Sequence, residues 1–290
     1  MNPAAKTIQI FLPAGDPRGI RIAEITTRIV RVIEIPRSLV GDFLKMPEAQ
    51  QVGVYLLVGG GEGGEAQEQI YIGQSGGVGT RIGQHNQGRD FWNKALVLIS
   101  LTNSLTQTHA LYLEWLCLKA AQEAGRYALE NGNAGAKPYT PAPLEADCYE
   151  IYETARTLVA TLGYPMFEPV ASAPASDTGA NEVFYCRSSG ANGQGLYTEE
   201  GFVVLKGSVG RKENVPSILG TPAERLRQRL LDTGVTSIQG DKMVFLRDHL
   251  FGSPSVAAVS LMGRTANGWI DWRDKDGKTL NERKRQTPQA

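Results

Sequence analysis

Cysteine and histidine are both scarce, at three residues each in a chain of 290. Cys117, Cys148 and Cys186 are scattered, with no CxxC pair among them. That spacing excludes a structural zinc site and a disulfide framework, and it fits a reducing cytoplasm. Long apolar runs are missing: no stretch reaches the length of a bilayer span, and the one in "MNPAAKTIQIFLPAGD" is too short for a signal-peptide core. A soluble protein with no membrane partner is expected. Charge of one sign is missing as well, since 30 Lys+Arg balance 30 Asp+Glu. No overall positive field announces a nucleic-acid partner, but a balanced total can hide a local basic face.

One lysine is absent where a nucleotide-binding reading would need it. "YIGQSGGVGTRIGQH" (71–85) begins like a phosphate-binding loop, yet Thr80 stands where the P-loop lysine should reach the phosphates, and the glycine spacing is off. "GGGEGG" satisfies GxGxxG through Gly59, Gly61 and Gly64, but a strand follows it, so no helix N-terminus is offered to a pyrophosphate. A nucleotide cofactor is therefore not expected.

What is present is an ordinary globular composition, 41% hydrophobic and 21% charged, in a length that suits two domains. Residues 1–49 read as a strand-rich N-terminal arm through "TIQIFL", "GIRIAEI" and "RIVRVIEI", with Arg18, Arg21, Arg28, Arg31 and Arg37 on a solvated strand face in preference to a nucleic-acid contact. From residue 50, "GVYLLV" and "QIYIG" form a hairpin across a flexible glycine-rich loop. Residues 76–87 suit a short helix, "KALVLISL" a third strand and "QTHALYLEWLCLKAAQE" a longer helix. This β-β-α-β-α order over 50–137 describes a small sheet flanked by helices. Residues 138–181 hold a further helix, about 146–162, and the Pro/Ala/Ser-rich linker "EPVASAPASDTGAN".

A second, smaller α+β domain spans 182–290, with "EVFYC", the hairpin "GLYTEEGFVVLKGS" and a helix opened by Thr221 and Pro222 and closed by Gly234. "MVFL" and "VAAVSLM" read as strands, and the charged tail "NERKRQTPQA" as disordered. The fold class is α+β.

On the helix at 107–123, steps of 100° place Thr108, Tyr112, Lys119 and Glu123 on a solvent arc. Ala110, Leu111, Cys117, Leu118 and Ala121 form the apolar arc, and Glu114 falls in its middle. A carboxylate there needs a positive partner. A buried ion pair with an arginine and a metal ligand are both open. Arg81 and His85, four residues apart, share a helix face and make a candidate phosphate-handling pair, or equally two solvated side chains.

Taken together, "GVY" (53–55), "YIG" (71–73), Ser75, "RIGQH" (81–85) and a helical Glu114 resemble the GIY-YIG nuclease module. The resemblance covers about 50–137. It implies a divalent-metal-dependent endonuclease hydrolysing phosphodiester bonds in DNA, in repair, restriction or defence, with Mg2+ or Mn2+ held by Glu114. Tyr55 would help take a proton from the attacking water, with His85 as its acceptor. Arg81 would hold the phosphate, and Tyr71 would help position the water. Gly53 and Gly73 would permit close backbone approach, and Asn131 or Asn133 would be the family's late asparagine. The alternative is a non-catalytic nucleic-acid-binding or interaction protein on the same fold.

Residues after about 182 resemble an uncharacterised domain that trails such modules in bacteria and archaea, carried by "GFVVLKGS" and "TPAERLRQRL". This region has more basic than acidic residues. Lys206, Arg211, Lys212, Arg225, Arg227 and Arg229 are candidate phosphate contacts, or a solvated face.

Overall fold

"GVYLLV" and "ALVLIS" are apolar without alternation, as strands must be when both faces of their sheet are covered. The computed structural model describes residues 5–60, 68–132, 134–170, 182–188 and 190–285. The chain divides into two units, Met1–Pro169 and Val170–Ala290, each built on a seven-stranded sheet with helices. The α+β class is therefore observed. The glycine-rich loop at 61–67 and the linker segment 171–181 lie outside the described residues.

The first unit runs β1 (Ile8–Phe11), β2 (Arg21–Ile25), β3 (Val30–Pro36), α1 (Val40–Phe43), β4 (Gly53–Gly59), β5 (Gln69–Ser75) and α2 (Val78–Gly88). It continues through β6 (Lys94–Ser100), α3 (Gln107–Ala124), β7 (Ala128–Leu129) and α4 (Ala142–Thr161). The sheet order is β1-β2-β3-β6-β4-β5-β7, with only β5 and β7 parallel. One face buries Val54, Leu56, Ile70, Ile72 and Leu98 with Leu113 and Cys117 of α3 and Ile151 and Leu158 of α4. The other buries Tyr55, Leu57, Ile33 and Val97 with Val78 and Ile82 of α2.

The N-terminal region is strand-rich, as expected, but it is not a separable arm. β3 pairs with β6 from Val30↔Ser100 to Pro36↔Lys94 and so completes the sheet. The segment after β3 is also the floor under α2. The Val78 amide donates to the Gln51 carbonyl at 3.1 Å, and a Cβ at Gly79 would come within 2.7 Å of the Ala49 methyl. Several arginines expected on a solvated face are spent inside the unit. Arg31 pairs with Glu24 and Glu48, both at 3.0 Å. Arg37 donates to Asn86 Oδ1 at 3.0 Å and to the Trp92 carbonyl at 3.2 Å. Arg21 pairs with Glu34, which is fully buried and also accepts from Lys94 and from the Tyr164 hydroxyl, each at 3.0 Å. Such a carboxylate is stable because each oxygen has a donor.

The second unit contains β8 (Val183–Ser188), β9 (Ala191–Thr198), β10 (Gly201–Val204), β11 (Val209–Arg211), α5 (Pro222–Asp232), β12 (Thr236–Gln239), β13 (Lys242–Phe245) and β14 (His249–Phe251). α6 (Pro254–Met262), α7 (Gly268–Asp271) and α8 (Leu280–Lys284) follow. The sheet order is β12-β13-β11-β9-β10-β14, and β8 pairs with β9.

Two expectations are corrected here. "VAAVSLM" is helical: Ser253 caps it by accepting from the Val256 amide, Pro254 occupies the first turn, and Gly263 ends it at φ +62°. These caps outweigh its β-branched residues. The charged tail does not begin disordered, because Thr279 and Glu282 form a capping box on α8 and Arg283 pairs with the buried Asp274. Residues 286–290 lie outside the described set.

A fragment of residues 1–169 is expected to fold alone, whereas 50–169 is expected to be unfolded or aggregated, having lost β3 and the floor of α2. Circular dichroism and thermal melts of the two fragments check this.

Candidate functional site

β4 and β5 are in a register that places Tyr55 opposite Gly73. With no side chain at 73, the Tyr55 ring leans across β5; a Cβ there would fall on the phenol hydroxyl. Gly53 is equally constrained, since a Cβ would meet the Leu98 carbonyl. Tyr71 alternates with Gly73 and faces the same side. α2 brings His85 over both rings, with centroids 5.4 Å from Tyr55 and 5.1 Å from Tyr71, and the two tyrosines 6.2 Å apart. The Tyr55 hydroxyl and His85 Nε2 are 2.9 Å apart. Of the Arg81–His85 pair, His85 is thus buried at 6% exposure and only Arg81 is exposed.

The nearby Tyr55 hydroxyl and, more weakly, Tyr71 hold the Arg81 guanidinium above its ordinary value, while the guanidinium donates to Gln84 Oε1 at 2.8 Å. Burial, followed by the charges of Arg81 and Arg89, pushes His85 down to about 4, so the imidazole is neutral at neutral pH. In the tautomer that carries its proton on Nδ1, a bare Nε2 accepts the Tyr55 proton. Burial and the neighbouring Tyr71 push the Tyr55 phenol well above its usual range, with Arg81 partly opposing.

Arg89 went unnoticed in the sequence, though it extends the 81–85 spacing by another four residues. It lies just beyond α2 with its Cζ 4.3 Å from the Tyr71 ring centroid. Among the described residues, neither Arg81 nor Arg89 forms an ion pair.

Glu114 belongs to α3, on the other side of the sheet, and lies beside the outer edge of β5 at Gln74. β7 covers that edge only at Gln69↔Ala128 and Ile70↔Leu129. Beyond it the Asn131 side chain takes over the ladder: Oδ1 accepts from the Ile72 amide at 2.8 Å and Nδ2 donates to the Ile72 carbonyl at 2.7 Å. Asn131 therefore holds the edge by mimicking a peptide group. Asn133 lies outside the described residues. The next outward amide, that of Gln74, lies close enough to the Glu114 carboxylate to favour its charged form. Glu114 is half-buried, and burial keeps its carboxyl above the ordinary range, with the Gln74 amide partly offsetting this. No arginine or lysine pairs with it among the described residues, so the ion-pair alternative is not what the helix builds.

Two faces of α3 differ from the wheel. Tyr112, expected in solvent, is 6% exposed beneath Lys137, whereas Leu111, expected inside, is 41% exposed. The loop before α4 covers the Tyr112 side and leaves Leu111 open.

In the second unit the candidates Lys206, Lys212 and Arg225 are exposed, and Arg211 and Arg229 are half-buried. Arg227 is not available to a phosphate. It is 3% exposed and donates to the Ser260, Arg211 and Lys212 carbonyls, and burial pushes it down to about 10.

Because the folded His85 value lies below the ordinary 6.5, the unfolded chain takes up the proton first, and stability falls as pH drops from about 6.5 towards 4. The His85 ring resonances in an NMR titration should show a neutral imidazole down to about pH 5. Gly73→Ala is expected to displace the Tyr55 ring and cost about 1–3 kcal/mol in urea unfolding, with His85 returning towards an ordinary titration.

Residues 184–284 match the family described as a domain of unknown function (DUF4357). The match covers most of the second unit and agrees with the resemblance to an uncharacterised trailing domain. No curated protein and no solved structure matches the chain.

Proposed function

We propose that the first unit is a metal-dependent endonuclease of the GIY-YIG type, hydrolysing phosphodiester bonds in DNA. The observation that carries this is the hydrogen-bonded Tyr55–His85 pair near Arg81, combined with a half-buried Glu114 that has no cationic partner among the described residues. Its expected ion would be Mg2+ or Mn2+. Among the described residues no three His, Cys, Asp or Glu side chains converge on a metal site, so an all-protein cage is not built. A single carboxylate fits magnesium, which keeps most of its waters and takes substrate oxygens. When bound, such an ion supplies positive charge to the phosphate oxygens.

The chain's own residues supply the rest. Arg81 offers a planar fork of donors to the phosphate and offsets the charge that grows as the attacking oxygen approaches. Burial keeps Tyr55 protonated, so its phenol accepts a proton from water only as its own proton passes to His85 Nε2. The low affinity of His85 for protons keeps that nitrogen open at neutral pH. Tyr71 orients the same water through its hydroxyl, and the edge clamp by Asn131 holds the strand that carries it.

For the second unit, exposed Lys206, Lys212 and Arg225 support a role in holding nucleic acid, with Arg211 and Arg229 at its margin.

Purified protein with magnesium or manganese is expected to nick labelled DNA. Arg81→Ala should lower the rate by about 10²–10³, and Glu114→Gln should abolish it. Thermal unfolding of Glu114→Gln should be unchanged or raised, because a half-buried carboxylate without a cation is removed. Full cleavage by Glu114→Gln would refute the mechanism. Salt-sensitive DNA binding with no product at any metal concentration would identify the non-catalytic alternative.

A further inference from the structure

Arg89 is a second cation at the Tyr71 ring, and none of the steps above uses it. It is half-buried just past the end of α2, with its Cζ over the ring at 4.3 Å from the centroid. Arg81 lies near the hydroxyls of Tyr55 and, more weakly, Tyr71. One ring therefore has a guanidinium over its face and another towards its hydroxyl.

Arginines elsewhere in this unit find carboxylates: Arg21 pairs with Glu34, Arg31 with Glu24 and Glu48, and Arg156 with Glu168. Arg89 has an acid next to it in the sequence, but the Asp90 carboxylate turns to Arg37 at 3.2 Å. Among the described residues no carboxylate pairs with Arg89, and no acceptor takes a hydrogen bond from its side chain. A contact with a ring face engages the positive charge and leaves the N–H donors unspent. Tyr71 thus fixes where the guanidinium sits, and the fork of donors suits the oxygens of a phosphate. Along a nucleic-acid strand phosphates recur at about 3.4 Å of rise. Two guanidiniums disposed about one aromatic ring suit successive phosphates, whereas sharing a single phosphate would require them to converge.

We propose that Arg89 binds the phosphate next to the scissile one, so that the site grips two successive phosphates of one strand, Arg81 on the reacting phosphate and Arg89 on its neighbour. The substrate is accordingly a polynucleotide chain and not an isolated phosphodiester. This rests on the nuclease reading, which puts the scissile phosphate at Arg81. Since Arg89 does not touch the reacting atoms, it contributes to binding and not to the rate of the bound complex.

The test follows fluorescence anisotropy of a labelled DNA duplex bound by the full chain in EDTA over a series of salt concentrations. The pH is held at about 8, where His85 is neutral with or without the Arg89 charge. Arg89→Ala should weaken binding about tenfold at low salt and flatten the slope of log affinity against log salt by about one. Arg89→Met, which can still cover the Tyr71 ring, should lose as much, whereas Arg89→Lys should keep the slope. Cleavage with magnesium at saturating DNA should be unchanged in Arg89→Ala, in contrast to Arg81→Ala. Wild-type affinity in Arg89→Met with a loss only in Arg89→Ala would make the ring contact one of packing and overturn the proposal, as would an unchanged salt slope in both. A slower rate at saturating DNA with unaltered affinity would place Arg89 on the scissile phosphate and overturn it too. Cleavage by the wild-type chain is scored separately: its absence removes the nuclease reading, whereas cleavage alongside an unaltered salt slope in the variants removes the second phosphate contact alone.

Discussion

The missing side chain at Gly73 is the constraint on which the rest of the first unit's site depends. Tyr55 lies in a central strand buried on both faces, where a phenol hydroxyl would ordinarily lack a partner. Register places Gly73 directly across from it, and the empty position lets the ring tilt over β5 until its hydroxyl reaches His85. α2 must come close for this to work. It does so because Gly79 has no Cβ to press on Ala49 and the Val78 amide is anchored on the Gln51 carbonyl. Both supports come from the segment between β3 and β4, so the residues before the paired tripeptides are part of the same construction.

β5 serves the site through its edge as much as through its faces. An edge strand with unpaired amides invites association. Here β7 pairs two residues, one asparagine amide extends the pairing at Ile72, and the Glu114 carboxylate lies near the next amide, at Gln74. Glu114 therefore lies at the edge of the sheet, although its helix packs on the opposite side from Tyr55. A helical wheel shows that Glu114 interrupts an apolar arc, but only the edge explains where the carboxylate goes.

The legible parts of the fold were those whose signals are local. Continuous apolar runs marked β4 and β6, and the order β-β-α-β-α followed from spacing. Gly53 and Gly73 could be read as positions of close backbone approach, and a Cβ at either meets a neighbour. Non-local packing hid the rest. Tyr112 and Leu111 exchanged places relative to the wheel because the loop before α4 covers one side of α3. Arg227 matched the spacing of its exposed neighbours but is held by carbonyls distant in sequence, and "VAAVSLM" misled because β-branched content was weighed above its Ser-Pro and Gly caps. Arg89 was readable from the four-residue spacing but sits past the helix end, where periodicity no longer selects it.

The electrostatics of the site form one pattern. Burial drives Tyr55, His85 and Glu114 each towards the neutral form: the phenol and carboxyl upward, the imidazole downward. For His85 the charges of Arg81 and Arg89 reinforce burial, whereas for Tyr55 Arg81 opposes burial without overcoming it. Among the described residues, two arginines without ion pairs stand on one side of β5, and a carboxylate without one stands at its edge. A ligand carrying an anion and a cation together, as a phosphate with its metal does, would satisfy both sides at once. The separation is maintained by geometry, since α2 and α3 pack on opposite faces and meet only where β5 runs out of partners.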